Sequence, residues 1–295
     1  MDRDFSYLAG LICSRGRFLS DGNKLIIDFP YKAGVVKGIN KEYEQKIWIS
    51  YGLFKIKEII DNCLGIPSKL SNQDSEINLI YNFHYNSLAY RKLRKVFEDR
   101  DSYYNFDVPK YLYEKDTSLD SVKYFIRGFC DIAGTVRKSN NDIQGRHRVY
   151  IDVINSKHNW DVPVQLCYLL QKKLAVPIAN ITWGHPDLGR KFREHLIRVY
   201  AEDFKKIGFE FEHKNQILIE LSEYNEKNFK NINKKYCPGY GRENKKNPTN
   251  KNDDETKLPK ELLNNNFNTY WKICQACGCE VQFNHDLKRV VIETD

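Results

Sequence analysis

The chain has 295 residues, 41% of them apolar and 13% aromatic, which suits a large buried core and excludes an intrinsically disordered chain. Its 47 basic and 39 acidic residues leave a net charge of +8, a modest excess that suits a polyanionic partner without requiring one. No apolar run reaches the ~18 residues of a membrane span, and the start Met1-Asp2-Arg3-Asp4 carries no signal-peptide core. A soluble intracellular protein, in the cytoplasm or at the nucleoid or nucleus, is expected.

In chain order, the first predicted element is a short apolar helix around Tyr7-Leu8-Ala9-Gly10-Leu11-Ile12-Cys13, closed by Gly16. A glycine inside a helix costs about 1 kcal/mol relative to alanine, so Gly10 implies that another backbone passes close by. The closing glycine suits a left-handed C-cap. Strand residues follow over 17–31, broken by a turn at Asp21-Gly22-Asn23, and another strand is expected over about 43–50. A helix over 53–64 places Leu53, Ile56, Ile59, Ile60 and Cys63 on one stripe. Strands near 67–73 and 77–84 and a helix over 86–98 complete this half.

A linker over 99–120 contains Pro109, and then the pattern restarts. The second apolar helix runs through Phe125-Ile126-Arg127-Gly128-Phe129-Cys130-Asp131 to Gly134. Strands near 135–139 and 147–154 follow, then a helix over 161–174 with Val164, Leu166, Leu169 and Leu170 on its apolar side. Further strands near 178–183 and 195–200 precede helices over 201–207 and 214–226. Residues 1–98 and 121–226 therefore read as two αββαββα repeats of an α+β fold.

Composition changes after the second repeat. Residues 227–270 are dense in Asn and Lys, which fits either a basic segment that follows phosphates or a solvated linker. Residues 271–295 contain Cys274-Gln275-Ala276-Cys277-Gly278, a turn that aims two thiolates at one tetrahedral metal. Cys237 with either Cys279 or His285 would complete a structural zinc set. A redox role for the pair lacks the surrounding βαβ pattern. Asn284-His285-Asp286 also suggests a metal-stapled nuclease, but too few residues follow His285 for the helix such a site needs. Cys13, Cys63, Cys130 and Cys167 lie in apolar segments and read as buried thiols.

On Leu8-Ala9-Gly10-Leu11-Ile12, and again on Phe125 to Phe129 with Asp131 and Gly134 after the lead-in Val108-Pro109-Lys110, the sequence resembles the LAGLIDADG homing endonucleases of the single-chain, two-motif type. The resemblance spans roughly residues 5–225. It implies two motif helices side by side at a pseudo-twofold interface, with Ala9, Gly10 and Gly128 in the contact. It also implies a saddle of two antiparallel sheets over double-stranded DNA, built from a monomer with internal pseudo-symmetry. Polar and basic strand residues would then face the DNA: Arg17, Lys24, Lys46, Lys69, Asn72 and Gln73 in the first repeat. In the second they are Arg137, Lys138, Gln144, Arg146, Arg148, Asn180 and Arg198. For each of these, an ordinary solvated sheet face is the competing explanation.

The same resemblance implies an acid at the eighth position of each motif, where two carboxylates hold divalent metal over the scissile phosphates. Here those positions are Arg15 and Ala133, and neither can ligate Mg²⁺. Arg15 is expected to hold a phosphate in the metal's place. Asp131, at the sixth position and roughly 200° around the helix from the eighth, is either a displaced ligand or an interface acid. Three functions follow: a site-specific DNA-binding protein without cleavage, a Mg-dependent endonuclease of homing or restriction type using displaced acids, or an RNA-binding intron maturase. The narrow A-form major groove favours DNA over RNA.

Overall fold

The first helix, α1 (Arg3–Arg15), begins at Asp2, whose carboxylate accepts from the Phe5 amide at 2.7 Å and caps the helix. Every residue from Phe5 to Ser14 is buried, so this helix is enclosed on all sides. The computed structural model describes residues 2–19, 23–34, 45–137, 145–154, 161–182, 195–230, 269–273, 280–284 and 289–292.

Two strands follow α1, β1 (Gly16–Leu19) and β2 (Lys24–Pro30). After them come α2 (Gln45–Leu64), β3 (Lys69–Asn72), β4 (Glu76–Asn82) and α3 (Leu88–Val96). The second repeat opens on α4 (Leu119–Ala133), capped by the Ser118 hydroxyl, which accepts from the Ser121 amide at 3.1 Å. It continues through β5 (Gly134–Arg137), β6 (Arg148–Val153), α5 (Asp161–Tyr168), β7 (Asn180–Thr182), β8 (His195–Tyr200), α6 (Ala201–Phe204) and α7 (Glu212–Asn228). The last turn of α5 widens into a π-type segment over Leu169–Lys173. The two antiparallel sheets have the orders β1-β2-β4-β3 and β5-β6-β8-β7, the same topology twice. The α+β architecture of two αββαββα repeats is thus the observed one.

The repeats meet at α1 and α4, and the glycines explain how closely. A Cβ on Gly10 would fall on the Phe125 carbonyl and 2.8 Å from the Phe129 amide nitrogen. A Cβ on Gly128 would fall on the Tyr7 carbonyl and 3.2 Å from the Leu11 amide nitrogen. Each helix therefore accepts the other's backbone into its notch. Ala9, also expected in the interface, is fully buried.

Three expectations need correction. The closing glycines are not left-handed caps: Gly16 has φ −90° and ψ 152°, and Gly134 has φ −88° and ψ 134°, both extended. Their necessity is steric, since a Cβ would meet Ile12 Cα at 2.6 Å or the Cys130 carbonyl at 2.5 Å. Of the strand expected over 43–50, the described residues 45–50 are instead the start of α2. Ile49, Leu53, Ile56, Ile60 and Leu64 are buried at spacings of three and four, while Ile47 is 58% exposed, so the helical period prevails. The free thiols Cys13, Cys130 and Cys167 are buried as expected, but Cys63 is only half-buried.

A third antiparallel sheet is described by itself: β9 (Thr269–Ile273), β10 (Glu280–Asn284) and β11 (Arg289–Ile292) in the order β11-β10-β9. No described helix is long and apolar enough to cross a membrane.

Candidate nucleic-acid interface

Because α1 and α4 run side by side, they deliver Arg15 and Ala133 to one place. A hollow of about 200 Å³ opens there, lined by Ser14, Arg15, Pro30, Lys32, Ile132, Ala133, Thr135, Arg137, Asp152 and Ile154. Three of those side chains are cations and one is an acid. The Arg15 guanidinium lies over the Tyr103 ring, 5.7 Å from its centre, which holds it at the helix end. A divalent ion wants several carboxylate oxygens, and these residues offer one acid among three positive charges, so they do not fit one. Among the described residues no group of three or more His, Cys, Asp or Glu side chains is placed to hold a metal.

Both sheets present one apolar face to the core and one open face, as strand alternation requires. In the second sheet Val149, Ile151, Val153, Ile197 and Val199 point inward. Their neighbours Arg148, Tyr150 and Asp152 on β6, Arg198 and Tyr200 on β8, and Thr135 and Arg137 on β5 therefore take the other face. Register sets them beside one another: Arg137 opposite Arg148, Tyr150 opposite Arg198, Arg148 opposite Tyr200. Tyr150 has Arg137 4.8 Å and Arg198 5.3 Å from its ring centre, and Arg148 lies 5.0 Å from the centre of Tyr200. The Nε atoms of Arg137, Arg148 and Arg198 are all buried without an acceptor, and Arg148 is only 4% exposed. Burial holds the Arg198 guanidinium below its ordinary pKa, and Arg148 and Arg137 push it the same way.

The first sheet's open face is different. Arg17 Nη2 donates to Asp28 Oδ1 at 3.2 Å, and Asn78 Nδ2 donates to the same oxygen at 2.6 Å. Its arginine is thus neutralised by the sheet itself, although Arg17 Nε, like the Nε atoms of the second sheet, is buried without an acceptor among the described residues. Burial raises the Asp28 pKa, with Arg17 opposing. Lys24 and Lys69 are the other cations on this face, beside Ile26, Ile80 and Glu76.

Register also shows a pair that the sequence reading missed. Gly16 pairs with Ile27 and Gly134 with Ile151, so Asp28 and Asp152 are equivalent positions, each one residue beyond the partner of the motif-closing glycine. The motifs are 118 residues apart (128 − 10) but these acids are 124 apart (152 − 28), because the second hairpin is longer. Only the strand pairing could have revealed the match.

The other expected contact residues scatter. Lys46 sits on α2, not on a strand, with its ammonium 5.4 Å from the Tyr31 ring centre, because the segment is helical. Asn72 pairs with core-facing Ile77 and lies on the sheet's inner side at its exposed edge. Gln73 lies just past β3 and donates to Ser71 Oγ at 3.0 Å. Arg146 precedes β6 and is committed to the Phe229 carbonyl at the end of α7. Asn180 pairs with Arg198 on the second sheet. Lys138, Gln144, Cys237, Cys274, Cys277, Cys279 and His285 lie outside the described residues.

Asp131, in the last turn of α4, does not line the hollow at the helix ends. It is fully buried, accepts from Tyr7 Oη at 2.7 Å and from the Glu210 and Phe211 amides at 3.1 and 3.3 Å, and so has its carboxylate occupied. The buried Lys214 ammonium donates to the Asp131 carbonyl at 2.6 Å and to the Gly134 carbonyl at 2.9 Å. Through these contacts Asp131 ties α1 and the start of α7 to α4.

Two repeats of one topology, joined through a pair of mutually notched helices and each with a sheet face beside the helix ends, are the architecture that the resemblance to the LAGLIDADG endonucleases implies. Among solved structures the chain is similar to a variant of I-DmoI in complex with its target DNA in the presence of Mn, at 15% identity, 72% of this chain, 96% of that one and a TM-score of 0.40. It is also similar to the homing endonuclease I-WcaI bound to its DNA recognition sequence, at 11% identity, 70% and 80% coverage and a TM-score of 0.39. A third likeness is to full-length DUF199/WhiA from Thermatoga maritima, at 10% identity and a TM-score of 0.42, covering 75% of this chain and 58% of that one. No protein-family model matches the chain, and no curated protein matches it.

Proposed function

We propose that the chain binds double-stranded DNA site-specifically across its two open sheet faces and does not cleave it through its helix ends. The arginine–tyrosine ladder of the second sheet carries this reading. Three guanidinium groups lie side by side with buried Nε donors that no described residue accepts. A buried, unsatisfied Nε–H is costly, and such a donor calls for a partner. Phosphate oxygens and the O6 and N7 atoms of guanine are the acceptors that match its fork. Sheet strands fit the B-form major groove, whereas the A-form groove is too narrow. Arg15, with Lys32 and Arg137 beside it, would take a backbone phosphate at the helix ends, where Asp152 is the one carboxylate among the described residues that line the hollow.

Purified protein incubated with a randomised duplex library, in Mg²⁺ and in EDTA, tests this. Enriched sites of ~20 base pairs with intact strands support the proposal. Mg²⁺-dependent ends at a fixed position would overturn the non-cleaving part and turn attention to Asp28 and Asp152. Retention of RNA over duplex DNA would favour the maturase instead. Arg148→Gln is expected to weaken duplex binding by about 1–3 kcal/mol and to lower the salt slope by about one if the contact is to phosphate. Arg15→Glu should weaken binding and its salt dependence as well, and unchanged values would remove Arg15 from the interface. For the C-terminal segment we propose a structural zinc set of Cys237, Cys274, Cys277 and Cys279 or His285, which a metal assay on the full chain with and without chelator reads directly.

A further inference from the structure

The same helix pair has a second opening, roughly 12–18 Å back along α1 from Arg15. Arg3, Asp4 and Tyr7 of α1 face Lys123, Tyr124 and Arg127 of α4 there, with Lys55 of α2 and residues 205–210 closing the sides. The cavity measures about 470 Å³, within the range of small-ligand sites. Its lining holds six cations and two carboxylates. Both carboxylates are used: Asp4 receives Arg3 at 3.1 Å, and Glu210 receives Lys55 at 2.8 Å and Arg127 at 3.4 Å. Lys123, Lys205 and Lys206 are the cations left over.

The loop that carries two of these lysines is pinned. Arg127 donates from Nε and Nη2 to the Ile207 carbonyl at 2.9 and 2.6 Å. Asn215 Oδ1 accepts from the Phe209 amide at 3.2 Å. Gly208 turns at φ +70°, and a Cβ there would meet Asn215 Oδ1 at 2.9 Å. A fixed loop holding like charges at a cavity mouth stores repulsion that an anion relieves. Tyr124, which could stack a base, already has Arg3 5.0 Å and Arg127 4.4 Å from its ring centre. The lining thus supplies charge for a phosphate chain and no free aromatic face for a base.

We infer that this cavity binds a small oligophosphate anion through its phosphates alone, separately from the DNA-facing sheets. Titration calorimetry of the full chain with tripolyphosphate and with ATP, at ~0.15 M salt, tests it. Saturable binding is expected, with ATP and tripolyphosphate within about threefold of each other. Lys205→Glu with Lys206→Glu should weaken it more than about tenfold, while Lys95→Glu with Lys227→Glu, on exposed helix faces elsewhere, should not. Arg148→Gln should leave it unchanged. No saturable binding, equal losses in the two lysine pairs, or a strong preference for ATP would each overturn the inference. Binding lost with Arg148→Gln but kept in the Lys205 and Lys206 pair would place the anion on the second sheet instead. A duplex-binding measurement on the same Lys205 and Lys206 variant should give the unaltered chain's affinity.

Discussion

Asp131 and Lys214 are both fully buried, and both are held away from their ordinary ionisation. Burial raises the Asp131 carboxyl from 3.8 to about 6, against the pull of Lys214 and the hydrogen bonds of Tyr7, Phe211 and Glu210. Burial lowers the Lys214 ammonium from 10.5 to about 8, with Asp131 opposing. A raised folded-state value means that Asp131 adds stability below pH 3.8 and loses it as the pH rises through 6. The shift corresponds to roughly 3 kcal/mol over that window. A depressed value means that Lys214 adds stability above pH 10.5 and loses it as the pH falls through 8. Urea midpoints from pH 4 to 7 should therefore decline, and Asp131→Asn should flatten the decline. A slope unchanged by that substitution would assign the dependence to other groups. Of this network the sequence showed only an acid at an unexpected motif position. Lys214 gave no signal, because nothing in a lone lysine reveals that two carbonyls will receive it.

Among the elements, the helix pair was the most legible and its consequences are the easiest to test. Gly10 and Gly128 announced a close approach because a mid-helix glycine has a known cost and needs a compensating contact. Gly10→Ala or Gly128→Ala drives a methyl into a facing carbonyl and should cost about 3 kcal/mol or more, read as a fall in the thermal midpoint. A shift of less than about 2 °C would mean that the helices can separate cheaply. Gly52→Ala belongs to the same class, since its Cβ would meet the Phe211 ring where α2 and α7 touch. The start of α2 was misread because the β-branched and aromatic run Ile47-Trp48-Ile49 is too short to distinguish two periods. Asp28 and Asp152 were invisible as a pair because unequal hairpins hide their register.

At the scale of the whole molecule, the two open faces are unlike. The first sheet neutralises Arg17 with Asp28 and sets Ile26 and Ile80 beside it, while the second carries a cluster of half-buried and buried arginines with no carboxylate partner among the described residues. If both faces meet one duplex, contact should be unequal along it. Methylation interference at guanine N7 should concentrate on the half-site under the second repeat, and the salt dependence of a duplex keeping only that half should approach that of the full site. Equal interference on both halves would show that the arginine ladder does not set the reading.

The mutual notch also bears on ancestry. Tyr7 lies three residues before Gly10 and Phe125 three before Gly128, so each glycine receives the carbonyl three residues upstream of the other. One repeat paired with a copy of itself would find the same fit, which makes duplication of a self-pairing ancestor a path that needs no new interface. What now forbids a return is chemistry rather than shape. Tyr7 donates to Asp131 across the junction, but their counterparts are Phe125 and Cys13. Two second repeats placed together would bury two carboxylates facing phenylalanine, and two first repeats would bury hydroxyls facing thiols. A separated pair of repeats should therefore reassemble as unlike partners.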